Sequence, residues 1–177
     1  VNRTVSVYPG GEPPYRIAFE NLWWEGLKLL SPTEWRILED RLEFDNWGFT
    51  LDTGHMMNTL DDAYDEDSAI DGLLKIIGRY PQDMIDRIGT VHLQCSTSAE
   101  YRSTFEARPY DSDADLKAWF EGAYAHAGKI DQHRPFTSPR VQEITDILKP
   151  DYLTHELYGS GSGDRWKDVI GQRGLFI

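Results

Sequence analysis

Four short apolar segments in this chain each end in an ionisable residue, and a segment with helical signals follows each of them. The clearest spans residues 49–55, where Asp52 closes a β-rich run and Gly54 lets the backbone turn before His55. The other three segments, residues 16–20, 88–93 and 151–156, end near Glu20, His92 and Glu156. Strands that alternate with helices in this way predict parallel βαβ units, and therefore an α/β fold.

The segments between these strands carry helix signals of their own. Ser31 and Pro32 predict the start of a helix that runs to about Arg41. The acidic run at residues 61–67 is interpreted as a solvated loop before a helix rather than a calcium loop, because acidic side chains favour a helix N-terminus. Further helices are predicted at residues 68–79, at residues 113–127, after Ser138 up to Pro150, and from Asp164 to about Arg173. Residues 101–110 are predicted to be irregular.

The ionisable strand ends indicate a metal site. Parallel strands bring their carboxyl ends to one rim, where carboxylate and imidazole groups can bind a divalent cation together. Taken singly, Asp52 is more often a helix-cap or turn residue, and His92 is more often a core histidine. Adjacent strand residues face opposite sides, so His155 and Glu156 cannot share one site, and we favour Glu156.

Three further features have a structural and a functional interpretation. Asp131 and His133 form an Asp-x-His pair, which fits a surface hydrogen-bonding role or a pair of ligands. Trp23 and Trp24 follow Glu20 and fit core packing or an apolar wall over a ligand. The glycines of residues 159–164 fit a flexible loop or a phosphate-binding loop at a helix N-terminus.

Composition excludes several classes of function. The formal net charge of -12 and the pI near 4.7 disfavour nucleic acid as a partner, since such binding needs clustered Lys and Arg. The single cysteine, Cys95, excludes an internal disulfide and a multi-cysteine zinc site, and the simplest setting is a reduced, cytoplasmic one. The sequence contains neither a signal peptide nor an apolar run of membrane length, so we expect no membrane partner.

The number of strand-helix units limits the architecture. In a β/α barrel, reactive groups line the rim at the strand ends, but a complete barrel has eight units and about 250 residues. This chain has 177 residues and four predicted units. We therefore expect a single domain, residues 1–177, that forms half of a barrel. It would be the C-terminal half of a longer protein, or a unit that pairs with a second half as an oligomer.

Five motifs resemble the last four strands of the xylose-isomerase-like barrel superfamily. They are Phe-Glu-Asn-Leu-Trp-Trp (19–24), Leu-Asp-Thr-Gly-His (51–55), Val-His-Leu-Gln (91–94), Asp-Gln-His-Arg-Pro-Phe (131–136) and Thr-His-Glu-Leu (154–157). This superfamily includes sugar phosphate isomerases and epimerases, inosose dehydratases and apurinic endonucleases. The motifs are short, but their order and spacing cover nearly the whole chain after Pro14.

The resemblance implies a metal-dependent isomerase or epimerase that acts on a sugar or sugar phosphate. Its metal ligands would be Glu20, Asp52, His92 and Glu156, binding one Mn, Mg, Co or Zn ion. Glu20 and Glu156 would also act as general base and acid next to a carbonyl, with the metal stabilising an enediolate. The expected substrate-binding residues are His55, Trp23, Asp131 and His133, with Trp24 also excluding water.

One departure from the family pattern bears on the substrate. Epimerases of ketohexoses carry an arginine shortly after the strand histidine, whereas here the nearest arginine is Arg102. In the apurinic endonucleases, His55, Asp131 and His133 would be further ligands of a multinuclear zinc cluster, and this sequence keeps all three. A zinc-dependent phosphodiesterase is therefore one alternative, and a truncated half-barrel without catalytic activity is another.

Overall fold

A computed structural model describes residues 1–107, 115–159 and 162–177, and its centre is a four-stranded parallel sheet. The strands are β1 (Ile17–Glu20), β2 (Trp47–Asp52), β3 (Ile88–Leu93) and β4 (Tyr152–His155), in the spatial order β1-β2-β3-β4. Each strand pairs in parallel with the next one along the chain. The predicted mixed α/β class with a parallel sheet is therefore confirmed.

Helices occupy most of the chain between the strands. In chain order they are α1 (Asn2–Val5), α2 (Pro32–Arg41), α3 (Thr53–Met57), α4 (Glu66–Ile77), α5 (Gln82–Ile85), α6 (Ala99–Thr104), α7 (Leu116–Ile130), α8 (Val141–Leu148) and α9 (Ser162–Arg173). Two 3₁₀ turns lie at Pro9–Gly11 and Gly174–Phe176. None of the helices in the described ranges is long and apolar enough to cross a membrane.

The two faces of the sheet differ in chemistry. The hydrophobic core includes Trp47, Phe49 and Leu51 of β2 and Val91 and Leu93 of β3, which alternate along their strands. Because side chains alternate along a strand, the residues between them lie on the opposite face, which we call the inner face. Asp52 and His92 are on this inner face and are direct partners in the β2–β3 register.

At the amino end of the strands, the inner face is crossed by the side chain of Arg16. A Cβ atom at Gly48 would overlap both its guanidinium group and the Arg87 carbonyl oxygen, so this position requires a residue without a side chain, and a Cβ atom at Gly89 would displace the guanidinium group. The guanidinium lies 3.8 Å from Asp151, just before β4. Arg16 thus links the two outer strands, at the end of the sheet opposite the ionisable strand ends.

The acidic run at residues 61–67 leads into α4, as predicted. Asp65 is the N-cap, and its side chain accepts a hydrogen bond from the Ser68 backbone N–H. In return, the Asp65 backbone N–H donates a hydrogen bond to the Ser68 hydroxyl. Glu66 and Asp67 lie in the first turn, where the helix dipole favours acidic side chains.

Two predictions of local structure were wrong. Residues 101–104, predicted to be irregular, belong to α6, because Arg102 donates hydrogen bonds to the Leu60 carbonyl and the Ser98 hydroxyl and so holds the short helix in place. Residues 105–107 are irregular as predicted, and residues 108–110 lie outside the described residues. Ser138 does not cap α8: its hydroxyl donates to Asp67 (3.0 Å), and the helix begins three residues later without a side-chain cap. The predicted helix start at Asp113, and Ser160 and Gly161 of the glycine-rich run, lie outside the described residues.

Helix α7 is present as predicted from Leu116 onward, but its apolar stripe is not buried. Leu116, Phe120 and Tyr124 recur at helical spacing and are 60% or more exposed, while Ile130 at the other end is buried. The stripe therefore contributes little to the core of the described chain.

Candidate metal centre

Four ionisable side chains from the four strands meet on the inner face at the carboxyl ends. Glu20 ends β1, Asp52 ends β2, His92 is the penultimate residue of β3, and Glu156 directly follows β4. Each offers one ligand atom, and these four atoms lie within 4.8 Å of one another. They form a group that could hold one metal ion.

His92 is the centre of this group. Its Nδ1 lies 2.7 Å from Glu156 Oε2, 3.4 Å from Glu20 Oε1 and 3.9 Å from Asp52 Oδ2. Glu20 and Glu156 retain about a third of their side-chain exposure, whereas the Asp52 side chain is fully buried. The group is therefore closed at the sheet and open toward solvent at its two glutamates.

Three of the four ligand atoms have no hydrogen-bond partner among the described residues. They are Asp52 Oδ2, His92 Nδ1 and Glu156 Oε2, all of them buried. The short contact between the His92 imidazole and Glu156 does not have hydrogen-bond geometry and is therefore an ionic contact. Buried polar atoms are normally hydrogen-bonded, and three such atoms that converge with surplus negative charge are suited to a cation.

The electrostatics of the group agree with this interpretation. Burial raises the pKa of Asp52 to about 7, since a charged carboxylate is disfavoured away from water. The close approach of Glu20 raises the pKa of His92, and His92 in turn lowers the pKa of Glu20. Divalent cations compete with protons for such groups, so a metal ion bound here would displace the proton that the carboxylates favour on His92.

Asp52 combines the two roles that the sequence left open. Its Oδ1 accepts a hydrogen bond from the His55 backbone N–H (2.7 Å), which caps α3. Its Oδ2 faces the cluster and is free for an ion. The cap and the ligand are therefore different oxygens of one carboxylate.

His55, Asp131 and His133 form a second group beside the first. Asp131 Oδ2 lies 3.3 Å from His55 Nε2 and 3.0 Å from His133 Nε2. The Nδ1 atoms of the two rings face backbone carbonyls, that of Asn21 at 2.8 Å and that of Glu156 at 3.0 Å. Since each ring lies between two acceptors, both imidazoles are favoured in the doubly protonated form.

The Asp131 carboxylate stabilises the protonated form of both rings in this second group. Burial tends to lower the pKa of both rings, but the Asp131 carboxylate outweighs it, raising the pKa of His55 to about 9 and also that of His133. Burial likewise acts to raise the pKa of Asp131, yet hydrogen bonds from both rings and from Gln94 lower it. His133 also adopts a left-handed backbone (φ 48°), which is uncommon for a residue other than glycine.

Aromatic side chains stand beside the two groups. Trp24 is half exposed and its ring centroid lies 6.4 Å from that of His55, while the predicted Trp23 packs edge-on against Trp24 at 5.1 Å. Tyr158 stacks on His133 with 4.0 Å between ring centroids. His155 points away from the cluster, as predicted, and its Nδ1 contacts Gln172 of α9.

Two buried amides of the site were not predicted. Asn21 exchanges hydrogen bonds with the backbone N–H and carbonyl of Asp52, at 2.7 and 3.0 Å. Gln94 donates to the carboxylates of both Asp52 and Asp131. Both follow strand ends closely, and this position is the signal that could have identified them.

Comparison with known proteins adds no relationship. No protein-family model, curated protein or solved structure matches this chain. The likeness to xylose-isomerase-like barrels therefore stays a prediction from sequence motifs.

Proposed function

We propose that the chain is a metal-dependent isomerase or epimerase that acts on a sugar or sugar phosphate, with one divalent ion held by Glu20, Asp52, His92 and Glu156. The observation that carries this proposal is the convergence of three buried ligand atoms, without hydrogen bonds in the described chain, at the ends of four parallel strands. Three carboxylates and one imidazole suit Mn, Mg, Co or Zn.

The residues of the cluster fit proton transfer at a carbon next to a carbonyl. Glu20 and Glu156 sit on the two outer strands and remain partly exposed, so a substrate can reach both carboxylates. The contact with His92 lowers the pKa of Glu20, so this carboxylate is ionised at neutral pH, the form that can accept a proton. Glu156 returns a proton to the substrate. When bound, the metal ion would polarise the carbonyl and stabilise the negative charge that develops on the substrate oxygens.

The rest of the site binds the substrate and excludes water. The pKa values of His55 and His133 are both raised, which favours positive charge beside the cluster and suits a sugar phosphate or the negative charge that develops on sugar oxygens. Trp24, supported by Trp23, provides an apolar wall on the β1 side. Such a wall limits water at the reacting carbon.

We further propose that the sheet is half of a β/α barrel. Sheets of purely parallel strands are normally covered on both faces, yet here β1 and β4 have open edges in the described chain, and Ala18, Tyr152 and Thr154 are exposed on the inner face. A second set of four units, from a longer chain or from a second copy, would close the barrel and cover that face. The site would then lie at the rim.

The test of the catalytic proposal is exchange of a substrate C–H proton with solvent. The chain, loaded with Mn, Co, Mg or Zn in turn, is incubated with ketoses and their phosphates in deuterated water, and deuterium incorporation is followed by NMR. We expect exchange with at least one substrate, and a loss of roughly 100-fold or more for Glu156→Gln, which removes an acid-base group. Glu39→Gln, on the surface of α2, is the matched control and should retain full activity.

Two outcomes would overturn the proposal. One is the absence of exchange across the panel with every ion, and the other is a Glu156→Gln variant as active as the unchanged chain. Metal analysis of the same samples should give about one ion per chain.

An apurinic endonuclease-like phosphodiesterase is the second candidate, because His55, Asp131 and His133 lie next to the cluster. Against it, these three side chains are hydrogen-bonded to one another and to backbone carbonyls, so their ligand atoms are already occupied. Two or three zinc ions per chain, cleavage of an abasic duplex, and loss of that cleavage in Asp131→Asn would favour it. A chain that binds no ion would favour a half-barrel without catalytic activity.

A further inference from the structure

Gln94 lies just beyond β3, and its fully buried side chain sits between two carboxylates. Its Nε2 donates one hydrogen bond to Asp52 Oδ1 (3.1 Å) and one to Asp131 Oδ1 (2.8 Å). Its Oε1 accepts a hydrogen bond from the Ser96 hydroxyl (2.7 Å). Every polar group of the amide is therefore used, as a buried amide requires.

The hydrogen-bond acceptors around this side chain are best satisfied by a primary amide. A primary amide carries two N–H groups on one nitrogen, so it can bridge two acceptors, whereas a glutamate of equal length would bring no donor and a further negative charge. The first turn of α3 leaves room for it: a Cβ atom at Gly54 would overlap the Gln94 side chain. The space at Gly54 and the hydrogen bonds independently place the amide in one position.

The amide determines which oxygen of Asp52 faces the cluster. Asp52 Oδ1 accepts from the His55 backbone N–H and from Gln94, and these two donors fix the plane of the carboxylate. Its Oδ2 is left without a hydrogen-bond partner in the described part of the chain and is turned toward His92. The same amide ties Asp52 to Asp131, and through it to the two imidazole rings.

We propose that Gln94 is a positioning residue of the metal centre, which orients Asp52 toward a divalent cation and couples it to Asp131. Gln94 itself need touch neither the ion nor the substrate. The inference rests on the proposed function only in requiring that the four-residue cluster binds a cation.

The test is a Co²⁺ titration of the full chain, read by visible absorption and by competition with a chelator, so that no substrate is needed. Gln94→Met keeps the length of the side chain and removes its donors. We expect Co²⁺ affinity to fall roughly 10–100-fold, as is typical for groups that orient metal ligands, and the absorption bands of the bound ion to change.

Gln172 offers a matched control, because it is equally buried but lies on α9. It donates to the Leu93 carbonyl (3.1 Å) and accepts from the Phe136 N–H (2.6 Å). Gln172→Met should lower the thermal midpoint and leave Co²⁺ affinity and spectrum unchanged. If Gln94→Met does not fold, Ser96→Ala tests the same point, since it removes the hydrogen bond to the amide oxygen and leaves both N–H bonds of Gln94 in place. It also removes the acceptor of the Gln132 backbone N–H (2.8 Å), and it should weaken Co²⁺ binding by a smaller factor than Gln94→Met.

The outcomes separate the two proposals. An unchanged chain that binds no Co²⁺ would overturn the metal centre and the role of Gln94 together. Binding by the unchanged chain, with equal affinity and spectrum in the folded Gln94→Met or Ser96→Ala variant, would overturn the positioning role alone and leave the metal centre standing.

Discussion

The imidazole of His55 makes the stability of the ion-free protein depend on pH. Burial favours the neutral ring, but Asp131, Asp52 and the Asn21 carbonyl outweigh it and raise the pKa to about 9. The folded state therefore holds this proton more tightly than the unfolded state, in which the pKa is 6.5. The stability that the proton provides is complete below pH 6.5 and is lost as the pH rises through 9.

We expect the free energy of unfolding of the ion-free chain to fall by up to about 3 kcal/mol between pH 6.5 and 9, since each pKa unit is worth ~1.4 kcal/mol. Urea unfolding in the presence of a chelator measures it. In Asp131→Asn the carboxylate beside His55 is gone, so the loss over the same range should be smaller. A stability that stays constant or rises with pH in the unchanged chain would contradict the charged state assigned to His55.

At single positions, the sequence indicated the charged members of the site but not the neutral ones. Glu20, Asp52 and His92 stand out because a charged group at the end of an apolar run has few structural reasons to be there. Asn21 and Gln94 carry no charge, and their importance depends on partners in other strands, such as Asp52 for both. No local sequence pattern indicates that Asn21 and Gln94 pair with Asp52.

The single elements of the fold are stabilised mainly by one apolar face each, and α8 shows how sharply the face is defined. Ile144 is fully buried in the hydrophobic core, whereas Ile147, one turn later, is 40% exposed. We expect Ile144→Ala to lower the free energy of unfolding by about 2–5 kcal/mol, since it leaves a cavity, and Ile147→Ala to lower it by clearly less. Chemical unfolding of both variants tests this, and equal losses would show that α8 packs with a different face.

Elements with clear hydrophobic periodicity or local capping signals were predictable from the sequence. Elements held by contacts between residues far apart in the sequence were not. The ends of β3 and of α2 were found within a residue, because alternation and the Ser31-Pro32 start mark them locally. Helix α6 was missed because its position depends on Arg102 reaching the carbonyl of Leu60, about forty residues earlier in the chain. Closure into a barrel also lies beyond local pattern, since it concerns how the two outer strands meet other chain segments, and the half-barrel stays a prediction.

For the molecule as a whole, the open edges of β1 and β4 are the feature that most affects its behaviour. Unpaired edges of parallel strands present free backbone N–H and carbonyl groups to any chain that can pair with them. On β4, Tyr152 is 71% exposed, so its large ring is also available for contact. The described chain therefore combines a closed, well-packed outer face with an inner face and two edges that another polypeptide could cover.

We expect the chain to associate through these edges, so that its mass in solution and its thermal midpoint both rise with protein concentration, as for any oligomer that is more stable than its monomer. Light scattering and thermal unfolding over a roughly hundredfold range of concentration measure both. Tyr152→Lys places a charge on the β4 edge, where lysine opposes pairing with another strand, and should shift the chain toward the monomer. Tyr64→Lys is the matched control, because Tyr64 is similarly exposed (62%) but lies in the loop before α4. A monomer at every concentration, or an equal effect of the two lysines, would show that β1 and β4 do not mediate association, and the metal centre would then be complete within one chain.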